Sequence, residues 1–224
     1  MIVGVSDDVL TDELWRRLAL LLPPRPRRFH YPGRHLVDDR TVLAGIVWVL
    51  RHDMPWRQLP VSFPVSGVPC WRRLQDRQTA GVWQALHETL LADAVRRRPA
   101  RPARRTRRLL PRARAQRGAA TGPSPVNRGH LSSKHHLITD RGGVPLAVLV
   151  TGGNRHDVTQ LLPLVEAIPP IRGCRGQPKQ RPRYLLADRA YDHTSYRRQL
   201  AARGITAIIA RRGIPHGSGL SRQR

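Results

Sequence analysis

The sequence Arg183-Tyr-Leu-Leu-Ala-Asp188-Arg-Ala-Tyr191-Asp192 joins a short apolar run to an acidic residue, a turn and a polar helical stretch. The apolar run, residues 184–187, is typical of a buried strand. A carboxylate at the carboxyl end of such a strand faces the open rim of a sheet, where α/β folds build sites for metals and phosphates. Asp188 is therefore a candidate metal ligand. The alternative is an aspartate that caps a turn or a helix.

The chain is strongly basic. Its 224 residues contain 40 Lys and Arg against 15 Asp and Glu, which gives a formal charge of +25. This excess predicts a polyanionic partner, with DNA favoured and an anionic membrane surface as the rival. The longest apolar run, residues 42–50, is about half as long as a membrane-spanning helix, and no signal peptide is apparent, so we expect a cytoplasmic, nucleoid-associated protein. Cys70 and Cys174 have no metal or redox spacing and are expected to be ordinary thiols.

Residues 1–93 are predicted to form a helical, helix-turn-helix-like DNA-binding domain. Apolar residues recur at helical spacing in four stretches within it. A helical bundle with a solvated basic face explains the pattern equally well. In the first interpretation, three side chains of the third helix face DNA phosphates: Arg72, Arg73 and Arg77. The tryptophans on apolar stripes are expected in the core rather than stacked on bases: Trp15, Trp48, Trp71 and Trp83.

Residues 94–117 form an arginine-rich linker of different composition. Between residues 95 and 117 there are 11 arginines, several prolines and no acidic residue. Such a segment cannot bury enough apolar surface to fold by itself, so we expect it to be disordered. Taken at face value, it is a tether for nucleic acid.

Residues 118–224 alternate strand and helix. Strands over 134–139 and 145–151 flank the turn Asp140-Arg-Gly-Gly143 and predict a hairpin. Helices over 157–168 and 193–204 alternate with strands that end at Asp188 and at residue 210. Asp157 and Asp192 are expected to cap the two helices. The order predicts a mixed α/β sheet with helices, behind an all-helical domain.

Several motifs resemble those of bacterial insertion-sequence transposases of the insertion-sequence-five group. In the helical part they are Leu21-Leu-Pro-Pro, Val37-Asp-Asp-Arg, Pro55-Trp-Arg-Gln-Leu-Pro60 and Cys70-Trp-Arg-Arg-Leu74. In the second part they are Thr121-Gly-Pro-Ser-Pro-Val-Asn-Arg-Gly129, Ser133-Lys-His-His-Leu-Ile138, Thr151-Gly-Gly-Asn-Arg-His-Asp-Val-Thr-Gln-Leu161, Ala187-Asp-Arg-Ala-Tyr-Asp192 and Ala210-Arg-Arg-Gly-Ile-Pro-His-Gly-Ser-Gly219. Each motif is modest by itself, but together they cover residues 10–93 and 118–220 in order, which is highly specific.

The resemblance implies a ribonuclease-H-like catalytic domain that cuts the ends of its element and joins them to target DNA. An Asp, Asp, Glu triad in that family holds two divalent ions, usually Mg²⁺, which prefers hard oxygen ligands. Asp188 matches the second aspartate. Homo-oligomers are compatible with the resemblance. Further basic residues in the motifs are candidates for contact with DNA: Lys134, Arg155, Arg211 and Arg212. The histidines of the motifs are expected on the polar surface: His135, His136 and His156.

The chain departs from the family where the first aspartate belongs. That residue lies on the first strand, just before Thr121-Gly-Pro-Ser-Pro125, yet no acidic residue occurs between Asp93 and Asp140. We interpret residues 95–117 as out-of-frame translation, because codons can be chosen for Arg108 to Arg117 whose shifted frame reads Asp-Cys-Ser-His-Val-Arg-Ala-Leu-Lys, which resembles the family's segment. The third carboxylate is a Glu on a helix beyond Gly217-Ser-Gly-Leu220, and the sequence stops at Arg224, before that helix.

One carboxylate of three cannot hold two Mg²⁺ ions in catalytic geometry, so the sequence predicts little or no strand transfer by this chain alone. Three interpretations stay open. The chain is a transposase by descent with Asp188 as the surviving ligand, a non-enzymatic DNA-binding fragment that competes with intact transposase, or a decayed reading frame without a role. The motifs favour the first for ancestry, and the missing acids favour the second or third for present activity.

Overall fold

The structure is a computed structural model that describes residues 10–24, 30, 36–97, 105–106, 120–125, 129–172 and 177–213. The chain divides into two compact units, Met1–Leu90 and Leu91–Arg224. Each unit has its own apolar core. Across the described ranges, no helix is both long enough and apolar enough to cross a membrane.

The first unit consists of helices that begin at the capping residues of the sequence. The side chains of Thr11 and Asp38 each accept a backbone N–H from the first turn of the helix that follows, which pairs a donor the helix leaves open. Asp12 and Asp39, in those first turns, favour the same ends through the helix dipole. Its helices are α1 (Asp12–Ala19), α2 (Asp39–His52) and α3 (Gly67–Thr79), and α4 (Val82–Arg97) begins in this unit and continues past Leu90 into the second.

Helices α2 and α3 pack closely because small residues stand where they meet. A Cβ added to Gly45 would lie 2.8 Å from the Cys70 Sγ. At the start of α3, Gly67 lies against the backbone carbonyl of Trp56, in a 3-10 turn at Trp56–Gln58, and a side chain there would overlap that carbonyl. The buried residues of this core are Val42, Ile46, Val49, Leu59, Val65 and Cys70.

The second unit combines strands and helices. Its strands are β1 (Arg105–Thr106), β2 (Gly122–Pro123), β3 (Leu131–Thr139), β4 (Pro145–Gly152), β5 (Tyr184–Ala187) and β6 (Thr206–Ile209). Its helices are α5 (Leu161–Glu166) and α6 (Thr194–Ala202). Two 3-10 turns complete it, one at Asp157–Gln160 before α5 and one at Arg189–Tyr191 after β5.

Strand β3 is the centre of the larger sheet. Strand β1 pairs antiparallel with the carboxyl end of β3, β2 pairs antiparallel with its amino end, and β4 pairs antiparallel with β3 over Ser133–Thr139. Strands β5 and β6 form a parallel pair joined by α6, and β1 also lies against β5. The core of this unit is formed by residues of the strands and of α5 and α6, among them Ile138, Leu146, Leu161, Leu164, Leu185 and Leu200.

The predicted fold class, a helical part followed by a mixed sheet with helices, is confirmed. The helix predicted over residues 157–168 is shorter than expected: α5 begins at Leu161, and a 3-10 turn precedes it. Pro163 explains the difference, because proline lacks an N–H and fits a helix only within its first turn. Trp71 is 47% exposed, which corrects its expected core position. Trp15, Trp48 and Trp83 do pack against the cores.

The arginine-rich linker lies mostly outside the described residues. The parts that are described, residues 94–97 and 105–106, belong to α4 and β1 rather than to a structureless segment. The end of α4 extends past residue 93 because alanine and arginine are good helix formers. The predicted disorder is therefore corrected at these positions only.

Candidate functional site

Asp188 stands at the carboxyl end of β5, where the sequence places it. The strand beneath it is fixed by Leu185 and Ala187, which are buried, whereas Asp188 itself is exposed. Its backbone carbonyl accepts the N–H of Tyr191 at 3.0 Å and so closes the 3-10 turn. Its side chain makes no capping hydrogen bond to that turn. The carboxylate is thus presented at the rim and is not occupied as a helix cap.

Tyr191 lies close enough to two carboxylates, those of Asp188 and Asp157, to be affected by their charge. The 3-10 turn at Asp157–Gln160 packs against the 3-10 turn that contains Tyr191. Burial, and then the negative charges of Asp157 and Asp188, raise the pKa of Tyr191 well above its ordinary value. The phenol therefore keeps its proton at neutral pH and adds no negative charge to that of the two carboxylates.

Asp157 is held by Lys134 rather than by a helix end. Lys134 Nζ lies 2.9 Å from Asp157 Oδ1 and donates to the backbone carbonyl of Arg155 at 2.8 Å. The Lys134–Asp157 contact is close enough for an ion pair but lies outside hydrogen-bond geometry, so among the described residues Oδ1 is buried without a hydrogen-bond partner. Charge attraction has little directionality, so the 2.9 Å separation is sufficient for an ion pair. Asp157 is corrected from helix cap to ion-pair partner of Lys134. Lys134 as a DNA contact stays a prediction.

His136 lies in the interior next to this ion pair, which corrects the expectation of a surface histidine. It is 1% exposed, and its Nε2 lies 2.8 Å from the Thr151 hydroxyl on the neighbouring strand. Burial lowers the pKa of His136 below its ordinary value, against the opposing charge of Asp157. The imidazole is consequently neutral at physiological pH.

The burial of His136 predicts a pH dependence of stability. An unfolded histidine takes up a proton near pH 6.5, whereas the buried ring resists protonation, so the folded state loses stability as the pH falls below about 6.5. The slope from this one group is at most about 1.4 kcal/mol per pH unit. The variant His136→Gln is expected to flatten the dependence of unfolding free energy on pH between about 7 and 5. The exposed neighbour provides the control, since His135→Gln should leave the slope as in the wild type; an unchanged slope in His136→Gln would contradict the burial.

Asp192 ties the rim of β5 to the segment after β6. It accepts from Arg197 Nε and from the Arg212 backbone N–H, each at 2.7 Å. The Arg212 N–H and then the Arg197 side chain hold the pKa of Asp192 below its usual range. Helix α6 begins after His193 without a side-chain cap, so Asp192 is corrected from helix cap to a clamp between two chain segments.

The basic residues predicted in the second unit differ in their surroundings. Arg155 and Arg211 are exposed. Arg212 is exposed as well, but its guanidinium donates to the carbonyl of Ala190 at 3.1 Å and so also supports the rim. These three residues remain predictions as DNA contacts.

The three arginines of α3 that were predicted to contact DNA differ in their exposure to solvent. Arg73 and Arg77 are 6% and 3% exposed and both bind the Asp39 carboxylate of α2, with Arg73 also donating to the carbonyl of Val37. Their burial corrects the expectation that they face phosphates, because a guanidinium enclosed by α2 and α3 cannot reach a ligand. Arg72 is exposed.

A pair of magnesium ions does not fit the residues that surround Asp188. No group of three or more His, Cys, Asp or Glu side chains within the described ranges could hold a metal ion. Strand β1 lies against β5, where the family's first carboxylate is expected, and its described residues are Arg105 and Thr106. Asp157 is neutralised by Lys134. Among the described residues, Asp188 therefore belongs to no group of side chains that could hold a metal ion.

The residues that the sequence did not assign to the site are Tyr191, Asp157 in its inward position, and buried His136. One signal for them was present in β3. Ser132, Lys134, His136 and Ile138 alternate along the strand and share a face, and Ile138 identifies that face as the core side. In α3, Cys70, Arg73 and Arg77 likewise recur at helical spacing on the buried stripe.

Two family models match the chain. The one described as "Putative transposase of IS4/5 family" matches residues 10–87, and the one described as "Transposase DDE domain" matches residues 91–223. The chain is 58% identical over 104 residues to the "Putative transposase for insertion sequence element IS402" of Burkholderia cepacia, a match that covers 46% of this chain and 49% of that protein. It is 52% identical over 90 residues to the "Insertion element IS402 uncharacterized 16.2 kDa protein" of the same organism, covering 39% of this chain and 61% of that protein. The chain thus spans about half the length of the first relative. No solved structure matches.

Proposed function

This chain belongs to the DDE transposases of the IS4/5 insertion-sequence family, and from that premise we propose that it binds DNA but does not itself cut or join strands. Such a protein occupies the ends of its element without processing them. It therefore competes with an intact transposase for the same DNA and acts at the nucleoid, where that DNA lies.

The observation that carries this proposal is the absence of an acidic residue between Asp93 and Asp140. Two-metal phosphodiester chemistry needs carboxylates on neighbouring strands to hold both ions. Strand β1, the neighbour of β5, comes from within this stretch. Asp188 therefore lacks the first companion carboxylate, whatever residues follow Gly217-Ser-Gly-Leu220 in a longer protein.

The missing carboxylate has a proposed origin in a shifted reading frame over residues 95–117. Off-frame reading of high-GC DNA yields the Arg, Pro and Ala that dominate this stretch. The nucleotide sequence is expected to contain an open shifted frame that encodes Asp followed within two residues by Ser or Thr and then His-Val-Arg. A shifted frame that contains a stop codon or no Asp would contradict this origin.

The DNA-binding half of the proposal is supported by charge. The formal charge of +25 attracts phosphates, and exposed arginines lie in both units, Arg72 in the first and Arg155 and Arg211 in the second. Arginine suits phosphate because its planar guanidinium can bind two oxygens at once.

Binding and cleavage are tested in one experiment with the full 224-residue chain and a duplex that carries one end of the element. For about four phosphate contacts, the affinity should fall on the order of 100-fold between 50 and 200 mM salt. In Mg²⁺ buffer the wild type and Asp188→Ala are expected to give the same absence of nicked product. Absence of binding would overturn the DNA-binding half. Nicking that requires Mg²⁺ and disappears in Asp188→Ala would overturn the other half and favour an active transposase.

A further inference from the structure

The turn at the carboxyl end of β4, residues 152–157, is held in place through its backbone and is called the Arg155 turn below. The Arg155 N–H donates to the carbonyl of Gly152 at 3.0 Å, and the Arg155 carbonyl accepts from Lys134 Nζ at 2.8 Å. Lys134 is also paired, at 2.9 Å, with Asp157, the last residue of the turn. The backbone donor and the backbone acceptor of Arg155 are therefore both occupied, and a side chain of β3 occupies the second.

The side chain of Asn154 holds the same turn through a second set of contacts. A Cβ added to Gly122, on β2, would overlap Asn154 Oδ1, and a Cβ added to Gly152 would lie 2.9 Å from that oxygen. The amide thus fills space that a side chain at either glycine would occupy. The Gly153 N–H donates to the Ser132 carbonyl of β3 at 2.9 Å. The Arg155 turn is consequently fixed against β2 as well as against β3.

The Arg155 guanidinium is the group that this fixed turn presents to solvent. Arg155 is exposed, and within the part of the chain that the structure describes its side chain pairs with no carboxylate. Arg197 and Arg203 of the same unit, by comparison, are each bound to a carboxylate. A group that binds a ligand loses conformational freedom, and a backbone that is already fixed reduces that cost.

We propose that the Arg155 turn is a preorganised contact for a phosphate of DNA, in which Arg155 binds the phosphate and Lys134 and Asn154 position it; this inference rests on the proposed DNA binding. Residues 91–224, which include the turn, contain 28 Lys and Arg against 6 Asp and Glu, a net charge of 28 − 6 = +22. This unit therefore attracts polyanions by itself. A planar guanidinium also matches the geometry of phosphate oxygens.

The position of the turn supports the same ligand. The 3-10 turn that begins at Asp157 packs against the one that follows Asp188. The Arg155 turn therefore adjoins the rim at the carboxyl end of β5, and such rims are where α/β folds bind phosphates. A strand of DNA that reaches the rim has a phosphate available to Arg155.

Lys134 as a direct contact with DNA is the competing assignment, and a double-mutant cycle distinguishes the two. If Lys134 acts by holding the Arg155 carbonyl, its removal matters only while the Arg155 side chain is present. If Lys134 binds a phosphate itself, the two losses are independent and their effects on affinity multiply.

The experiment measures the affinity of the full chain for an unselected duplex at salt concentrations between 50 and 200 mM. Arg155→Ala is expected to lower the affinity on the order of 10-fold and to reduce the slope of log affinity against log salt by about 0.9, the value for one phosphate. Asn154→Ala and Lys134→Met are expected to lower both quantities, although Asn154→Ala removes no charge. Neither substitution should have a further effect when it is added to Arg155→Ala.

Two controls match these substitutions. Arg141→Ala removes an exposed arginine of the hairpin turn, at the opposite end of β3 and β4. Arg203→Met removes a cation that, like Lys134, is bound to one carboxylate and one backbone carbonyl. Both are expected to bind DNA as the wild type does. Far-UV circular dichroism establishes that each variant is folded, and Asn154→Ala carries the test if Lys134→Met does not fold.

Each outcome decides the inference. Losses in the Arg155, Asn154 and Lys134 variants, with no further loss in the double variants, support it. A further loss when Lys134→Met is added to Arg155→Ala, with a second reduction of the salt slope, overturns it in favour of Lys134 as a direct contact. Wild-type affinity in Arg155→Ala or Asn154→Ala, or an equal loss in Arg141→Ala, overturns it and leaves the proposed DNA binding intact. A wild type that binds no duplex ends both.

Discussion

Replacing Asp39 with alanine is expected to lower the free energy of unfolding of the helical unit by about 3 kcal/mol. Asp39 is the shared partner of Arg73 and Arg77, whose side chains are 7% and 4% exposed. Without the carboxylate, two guanidinium groups stay enclosed between α2 and α3 and lose the charged group that both of them bind. Removal of one member of a buried ion pair costs more than the pair contributes, because the remaining charge has lost both its water and its partner.

Tryptophan fluorescence during denaturant unfolding measures this effect selectively, since all five tryptophans lie between residues 15 and 83. The matched control is Asp12→Ala. Asp12 also begins a helix and pairs with an arginine, Arg40, at 2.5 Å, but its side chain is 78% exposed. An exposed pair contributes about 0–1 kcal/mol. Equal effects of Asp39→Ala and Asp12→Ala would show that Arg73 and Arg77 are accessible to water, contrary to the structure.

Replacing Lys134 with methionine is expected to lower the stability of the second unit by about 2–3 kcal/mol. Lys134 is 23% exposed, and its ammonium lies 2.9 Å from the Asp157 oxygen. Methionine keeps most of the side-chain volume but leaves Asp157 negative, partly buried and close to Tyr191 and Asp188. It also removes the donor of the Arg155 carbonyl. The effect should therefore exceed the loss of a surface ion pair.

Far-UV circular dichroism follows this second effect, with tryptophan fluorescence as the internal reference for the helical unit. Arg203→Met is the matched control, because Arg203 pairs with Glu166 at a similar distance, 2.8 Å, with 31% and 58% of the two side chains exposed. That variant is expected to lose less than about 1 kcal/mol. If Lys134→Met proves as stable as Arg203→Met, Lys134 is not the counter-ion of a partly buried carboxylate.

Most of the secondary structure could be predicted because its signals are local. Thr11 and Asp38 begin helices as their capping chemistry predicts. The hairpin turn after β3 follows from Asp140 and two glycines, of which Gly143 has a φ of 85° that a side chain would disfavour. Each of these signals involves residues within one or two turns of chain.

The charged residues were predicted less well, because their roles depend on distant partners. Arg73 and Asp39 are 34 positions apart, and Lys134 and Arg155 are 21 apart. The spacing of residues within α3 does not show whether an arginine on a helix face that has both apolar and charged residues points to solvent or to a carboxylate on another helix. The aspartates expected to cap helices, Asp157 and Asp192, instead bind lysine or arginine brought to them by tertiary packing.

The amino-acid sequence alone determined the motifs, the strand that ends at Asp188 and the lack of an acidic residue between Asp93 and Asp140. Each of these features depends only on residues that are neighbours along the chain. Tertiary packing decided which charges are enclosed and which remain at the surface, and so left Arg72 outward while it turned Arg73 and Arg77 inward. The physical reason is that taking a charge out of water is costly unless an opposite charge is near, and which opposite charge is near is a property of the folded chain.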